Sequence, residues 1–192
     1  MEDNPIPCAG HITRYGVHIW WTIPDGSVSK PESDKINLPT ITLRSATEED
    51  LPIIHLIETD VYPAPWTPNF FRIIYHMNKG FFIVALDGEE IIGYTVGEIE
   101  LMGKKSNPRK AGHVMNIAVK GSHQGRGVGT MLLDEVEFRF VQGGADIAYL
   151  EVRESNLNAQ NVYKHRGYKY VRTAKDYYGD EDGYIMTKPL DR

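Results

Sequence analysis

Residues 113–133 read H-V-M-N-I-A-V-K-G-S-H-Q-G-R-G-V-G-T-M-L-L, and this stretch decides how the chain is organised. Residues 114–119 have the pattern of a short buried strand. A polar turn follows, then three glycines at alternate positions, Gly125, Gly127 and Gly129, and an apolar helix opens directly behind them. Glycine lets backbone come close to a ligand, and the unpaired N–H groups of a helix start gather positive potential. The junction therefore suits an anion such as a pyrophosphate. Alternating glycines also occur in ordinary tight turns, so the flanking sequence has to carry the choice.

Working outward toward the C-terminus, Val128, Leu132, Val136 and Phe140 mark one face of a helix that stops near Gly143 and Gly144. A strand over residues 147–152, a helix from about Asn156 to His165 with Gly167 as its stop, a strand over 168–173 and a last strand around 184–187 complete that half. Toward the N-terminus, I-T-L-R-S-A from Ile41 alternates like a first strand. Thr47 and Asp50 form a capping-box-like helix start, and Leu51, Ile54, Ile57 and Val61 fall at helical spacing. The prolines of V-Y-P-A-P-W break that helix, and Thr67-Pro68 starts another through Phe70, Ile74 and Met77. F-F-I-V-A-L, the turn D-G-E-E and I-I-G-Y-T-V-G-E-I-E read as strand, hairpin turn and strand, and residues 102–110 as a surface loop. The order β, α, α, β, β, β, α, β, α, β, β predicts a mixed α/β (α+β) domain over residues 40–192. Its central mixed sheet of about six to seven strands carries helices on both faces. Residues 1–39 differ in character, with several prolines and an aromatic, β-branched run over 11–23 that includes Trp20 and Trp21. They read as an N-terminal extension, an ordered appendage or a self-association surface.

Composition narrows the function classes. A chain of 192 residues with formal charge -5 lacks the basic excess that nucleic-acid binding needs. The single cysteine, Cys8, forms no internal disulfide and suits a reducing compartment, so the expectation is a cytoplasmic protein. The longest apolar run, residues 81–86, is far too short to cross a bilayer.

The segment Q-G-R-G-V-G, residues 124–129, resembles the coenzyme A loop Q/R-x-x-G-x-G/A of the GNAT acetyltransferase superfamily. The similarity extends through N-I-A-V before it, L-E-V-R-E-S-N-L-N-A-Q-N-V-Y-K-H-R-G-Y over 150–168, and Y-Y-G-D-E-D-G-Y-I-M near the end. Together these resemble the protein N-terminal acetyltransferases, both the bacterial ribosomal-protein alanine type and the archaeal and eukaryotic catalytic subunits. The resemblance covers roughly residues 41–190 and no part of 1–39. It implies acetyl-CoA as co-substrate and protein N-termini as acceptors, with association with the ribosome left open. It places the backbone of Ile117, Ala118 and Val119 along the pantetheine arm. The pyrophosphate would lie over Gln124, Gly125, Arg126, Gly127, Val128, Gly129 and Thr130, and Asn156, Tyr163, Lys164 and His165 would stand near the coenzyme. Asn156 also fits a plain helix cap after Ser155.

Acetyl transfer to an amine needs a neutral nucleophile, a stabilised oxyanion and a proton for the departing thiolate. Glu151, a carboxylate inside the apolar run I-A-Y-L-E-V, is the first candidate base, and His113 at the head of the central strand is a candidate partner. Tyr163 matches the family tyrosine that protonates the thiolate. Tyr62, Tyr177 and Tyr178 resemble positions that narrow the acceptor groove, and Asp60 stands where some relatives carry a glutamate. Small first residues (Ser, Ala), with Met tolerated, are the expected substrates. A carboxylate and a histidine fall short of a zinc ligand set, so no required metal is expected. A small-molecule amine acetyltransferase, a non-catalytic coenzyme sensor and a dinucleotide module are the competing readings. The last would want its glycine loop early in the chain.

Overall fold

The computed structural model describes residues 12–13, 16–17, 41–104 and 107–191. The chain divides into two units, Met1–Leu38 and Pro39–Arg192. In the first, β1 (Ile12–Thr13) pairs antiparallel with β2 (Gly16–Val17). The tryptophans expected to anchor an appendage lie outside the described residues.

The second unit carries a seven-stranded sheet. Its strands are β3 (Ile41–Ser45), β4 (Phe82–Asp87), β5 (Glu90–Lys104), β6 (Asn107–Val119), β7 (Ile147–Arg153), β8 (Lys169–Ala174) and β9 (Gly183–Pro189), arranged in the order β3-β4-β5-β6-β7-β9-β8. Every pairing is antiparallel except that of β6 with β7. Among the described residues, four α-helices accompany it: α1 (Leu51–Val61), α2 (Pro68–Asn78), α3 (Val128–Gln142) and α4 (Leu157–His165).

The sheet is buried from both sides at β4, which is why that strand reads as continuous apolar sequence. Ile83 and Ala85 face one core cluster with α3 residues Val128, Leu132, Val136 and Phe140. Phe82 and Val84 face another with Ile54 and Ile57 of α1 and Phe71 and Ile74 of α2. The predicted face of α3 is thus the buried one. At about 1.5–3 kcal/mol for each fully buried large apolar side chain, its four residues anchor the glycine loop in front of it. On α2 the buried face is Phe71, Ile74 and Tyr75, whereas Phe70 and Met77, expected to line it, are 37% and 69% exposed. Phe71 wins the inward position because its ring meets those of Trp66, Phe82 and Tyr94 at 5.5, 6.3 and 5.7 Å.

The surface loop expected over residues 102–110 is instead the end of a long hairpin. β5 and β6 stay in register from Leu101↔Lys110 to Lys104↔Asn107. The described side chains at its tip are exposed, so backbone pairing continues there without the apolar alternation by which a strand announces itself. Pro108 is tolerated because β6 has no partner on its other side until Ala111.

Two irregularities shape the centre of the sheet. β6 and β7 pair only from Ala111↔Ile147 to Val114↔Leu150; beyond that, residues 115–119 of β6 and 151–153 of β7 diverge. At the same point the β5–β6 register steps from Gly97↔Val114 to Val96↔Asn116, leaving Met115 as a bulge. A bulge bends its strand and increases the local twist. Here it turns both Met115 and Asn116 toward α1, and it falls where β6 parts from β7.

Candidate active site

The opening between β6 and β7 is bordered on one side by the glycine loop. After Val119 the chain turns through residues 121–123, fixed by Lys120 N–H to the Ile92 carbonyl at 2.8 Å and His123 N–H to that of Lys120 at 2.8 Å. Gln124 Nε2 then donates to the Val119 carbonyl at 2.9 Å and braces the loop against the strand it has left. Gly125 and Gly127 have φ of 73° and 82°, and a Cβ at either would meet nothing within 4 Å. Backbone conformation, not lack of space, therefore demands glycine at both. Gly129 sits in ordinary helical backbone, and its Cβ would make only a 3.9 Å contact with Val119. The first helical bond of α3 runs from Met131 N–H to the Gly127 carbonyl at 3.0 Å, so the N–H groups of Val128, Gly129 and Thr130 precede any intrahelical acceptor. The Arg126 guanidinium reaches Asp87 at 3.3 Å.

Across the opening, α4 starts at Asn156, whose Oδ1 accepts the Ala159 N–H at 3.0 Å, so the capping role is realised. Tyr163 is buried, its ring 5.8 Å from that of Tyr168, and burial pushes its hydroxyl up to about 12. Lys164 leaves the Tyr163 side of the helix and lines a groove with Gln160, Tyr170, Tyr184 and Met186 over β8 and β9. His165 is exposed on the last turn, with Nδ1 2.7 Å from the Asn161 carbonyl.

Glu151 owes its place to strand alternation. Ala148, Leu150 and Val152 of β7 face the core, so Tyr149, Glu151 and Arg153 face the other way. Glu151 Oε2 lies 2.8 Å from His113 Nε2, and His113 Nδ1 lies 3.5 Å from Glu98. The imidazole stacks on Tyr149 at 4.3 Å and 6°, and the Tyr149 hydroxyl donates to Glu100 at 2.8 Å. Burial alone would lower the His113 pKa, but the carboxylates of Glu151, Glu98 and Glu100 outweigh it and hold it above 6.5. Among the described residues, Glu98, Glu100 and His113 also offer three potential metal-ligand atoms within 4.8 Å of one another.

Two tyrosine-bearing loops meet this opening. Tyr62 donates its hydroxyl to the Ile117 carbonyl at 2.7 Å, one of the groups predicted to face the pantetheine. Burial raises the pKa of that phenol, with Tyr163, Glu58 and Tyr178 adding to the effect. In the β8–β9 loop, Tyr177 is pushed up to about 12 by burial and by Glu151. Tyr178 is raised by burial, Tyr177, Glu151 and Tyr163. The Arg153 guanidinium lies 4.4 Å from the Tyr178 ring centroid and pairs with Asp180 and Glu181 at 2.9 and 3.1 Å. Glu181 also accepts from the Ser155 hydroxyl at 3.0 Å, so this loop is tied to the turn before α4. Asp60 is exposed on the last turn of α1. The buried carboxylate there is Glu58, 1% exposed, which sequence reasoning passed over. Its signal was present: Ile54, Ile57, Glu58 and Val61 share one helical stripe, and a glutamate on such a stripe needs a reason.

Residues 51–168 match the acetyltransferase (GNAT) family. The N-alpha-acetyltransferase of Sulfurisphaera tokodaii is 35% identical over 158 residues, 77% of this chain and 92% of that protein. The N-alpha-acetyltransferase RimI of Mycobacterium tuberculosis is 29% identical over 152 residues, 77% and 92% of the two chains. Among solved structures, Chaetomium thermophilum Naa20 in complex with a bisubstrate analogue superposes with a TM-score of 0.70 at 29% identity, over 78% of this chain and 86% of that one. The ribosomal-protein-S18-alanine N-acetyltransferase of Escherichia coli, at 23% identity, TM-score 0.67 and coverage of 80% and 96%, shares the fold.

Proposed function

The chain belongs to the GNAT acetyltransferase family, and from that premise we propose that it transfers the acetyl group of acetyl-CoA to the α-amine of protein N-termini. One observation carries the reading. The open ends of β6 and β7 bring together a helix start with unpaired N–H groups, a carboxylate at Glu151 and the hydroxyls of Tyr62, Tyr163 and Tyr178.

Acetyl-CoA supplies the activated thioester; the rest falls to the chain. Val128, Gly129 and Thr130, with the backbone of Gly125, Arg126 and Gly127, hold the pyrophosphate, and Ile117, Ala118 and Val119 border the pantetheine. Glu151 accepts the proton of the attacking amine, and His113, whose Nε2 lies 2.8 Å from it and whose pKa the neighbouring carboxylates raise, orients it. Tyr163, whose pKa near 12 keeps it protonated at neutral pH, gives its proton to the leaving sulfur.

Acceptor choice follows from proton cost. At pH 7 an α-amine of pKa ~8 loses its proton for about 1.4 kcal/mol, and a lysine of pKa ~10.4 for roughly 4.6 kcal/mol, so a modest base serves only the former. Tyr62 and Tyr178 border the slot from opposite loops, where an internal lysine carries chain on both sides. We assign small first residues, Ser and Ala, with Met tolerated. A peptide with a free Ser or Ala start should be acetylated faster than the same peptide blocked at its α-amine and carrying a lysine. The reverse order, or transfer to small amines alone, rejects the assignment.

A further inference from the structure

Glu58 has no part in the chemistry above, yet it is buried and, among the described residues, has no cationic partner. A buried carboxylate in that position is costly unless hydrogen bonds replace its water, and an apolar residue of similar volume would pack there at no such cost. Its hydrogen bonds come from three separate elements. Oε1 accepts the Trp66 N–H of the α1–α2 loop at 3.0 Å, and Oε2 accepts the Tyr94 hydroxyl of β5. Both oxygens receive the Asn116 amide, at 3.3 and 3.2 Å, from the bulged part of β6.

Two short routes lead from this carboxylate to the peptide groups of Ile117. Asn116, with its Nδ2 on Glu58, uses Oδ1 to accept the Ile117 N–H at 2.9 Å. The loop that Glu58 holds at Trp66 carries Tyr62, whose hydroxyl donates to the Ile117 carbonyl at 2.7 Å. The bulge and the loop are thus pinned to one buried group, behind the wall of the opening. We propose that Glu58 is a positioning residue for the acceptor groove, fixing where the Tyr62 hydroxyl and the Ile117 carbonyl stand relative to each other. This rests on the assignment of Tyr62 to the α-amine acceptor slot.

The test is Glu58→Gln, which keeps the shape but turns an amide donor toward groups that are themselves donors. Amide hydrogen exchange over residues 62–66 should accelerate about tenfold, while exchange in α3 stays at the parental rate. With a Ser-start peptide, KM should rise about tenfold, kcat should fall far less, and acetyl-CoA affinity should be retained. Tyr62→Phe should raise peptide KM as well, and the double variant should be no worse than the poorer single one, because Glu58 acts through Tyr62. Tyr94→Phe removes one donor without touching the carboxylate and should give the same changes at smaller size, which preserves the test if Glu58→Gln does not fold. Unchanged exchange over 62–66, or additive effects of the Glu58 and Tyr62 changes on KM, overturns the proposal. If the parent protein itself leaves α-amine peptides unmodified, the acceptor assignment fails, and the exchange comparison still decides whether Glu58 positions the loop.

Discussion

At the scale of the residue, the glycine loop separates into positions that answer different demands. Gly127, at φ 82°, caps α3 from the left-handed region, where a side chain costs roughly 1–2 kcal/mol, and its missing Cβ points into open space. Gly127→Val should therefore give a folded protein with a branched side chain standing in the proposed anion cradle. Isothermal calorimetry should show acetyl-CoA affinity reduced at least about tenfold; parental affinity would move the pyrophosphate elsewhere. Glu151 and His113 form the other residue-scale unit. Glu151→Gln should lower kcat roughly a hundredfold or more at neutral pH with coenzyme affinity kept, measured by steady-state kinetics. For His113 the sign follows from its raised pKa. The fold favours the protonated ring, so its contribution to stability is complete below pH 6.5 and is lost as pH rises through the raised value. Urea unfolding of His113→Gln should accordingly show its largest deficit in mild acid, narrowing above that range. A deficit that grows with pH would mean the ring is held neutral. The groups facing it are Glu98 and Glu100 from β5 and Tyr149 and Glu151 from β7.

At the scale of the element, the best-read parts of the sequence are those where one periodicity acts alone. α3 shows its face plainly because Val128, Leu132, Val136 and Phe140 all meet a single sheet surface. That surface is cut to fit: a Cβ on Gly112 would lie 2.2 Å from Phe140 Cδ2, and one on Gly97 2.5 Å from Phe140 Cζ. The Phe140 ring rests on bare backbone of β5 and β6. Gly112→Ala should then cost about 1–3 kcal/mol by overpacking, seen as a lower urea midpoint, and a second change Phe140→Leu should recover part of the loss. Additive losses would deny the contact. Where several elements compete, the sequence is silent. The face of α2 is turned by one residue because three aromatic rings converge on Phe71. The tip of the β5–β6 hairpin was illegible because its strands continue by backbone pairing with no core to write a pattern into them. Glu151 was readable as an interruption of an apolar strand. Glu58 interrupts a helical stripe in the same way, but its donors come from 8, 36 and 58 residues away, and no local pattern reports that.

At the scale of the whole molecule, the sheet of the second unit consists of two halves, β3 to β6 and β7 to β9, joined in the ladder by only four residue pairs, Ala111↔Ile147 to Val114↔Leu150. β7 pairs with β9 along all seven of its residues and β5 with β6 along twelve pairs, so each half is more continuous than the seam between them. A short parallel seam gives few backbone bonds, and the split beyond it leaves strand groups of β6 facing outward instead of across to β7. Acetyl-CoA lying in that split would touch β6 and the glycine loop from one half and α4 from the other, and so would act as an added strand across the weakest line of the sheet. Binding to the folded state alone stabilises by about 2.7 kcal/mol at a hundredfold excess over Kd. For a chain of this size that corresponds to a rise in melting temperature of roughly 5–10 °C. The rise should be strongly reduced in Gly127→Val at the same coenzyme concentration. Exchange protection on binding should appear at the divergent ends, residues 115–119 and 151–153, more than at the paired centre of β4. A coenzyme that raised the melting temperature while protecting only the α3 turn would bind the loop without entering the split, and the acetyl group would then lie too far from Glu151 for that carboxylate to serve as the base.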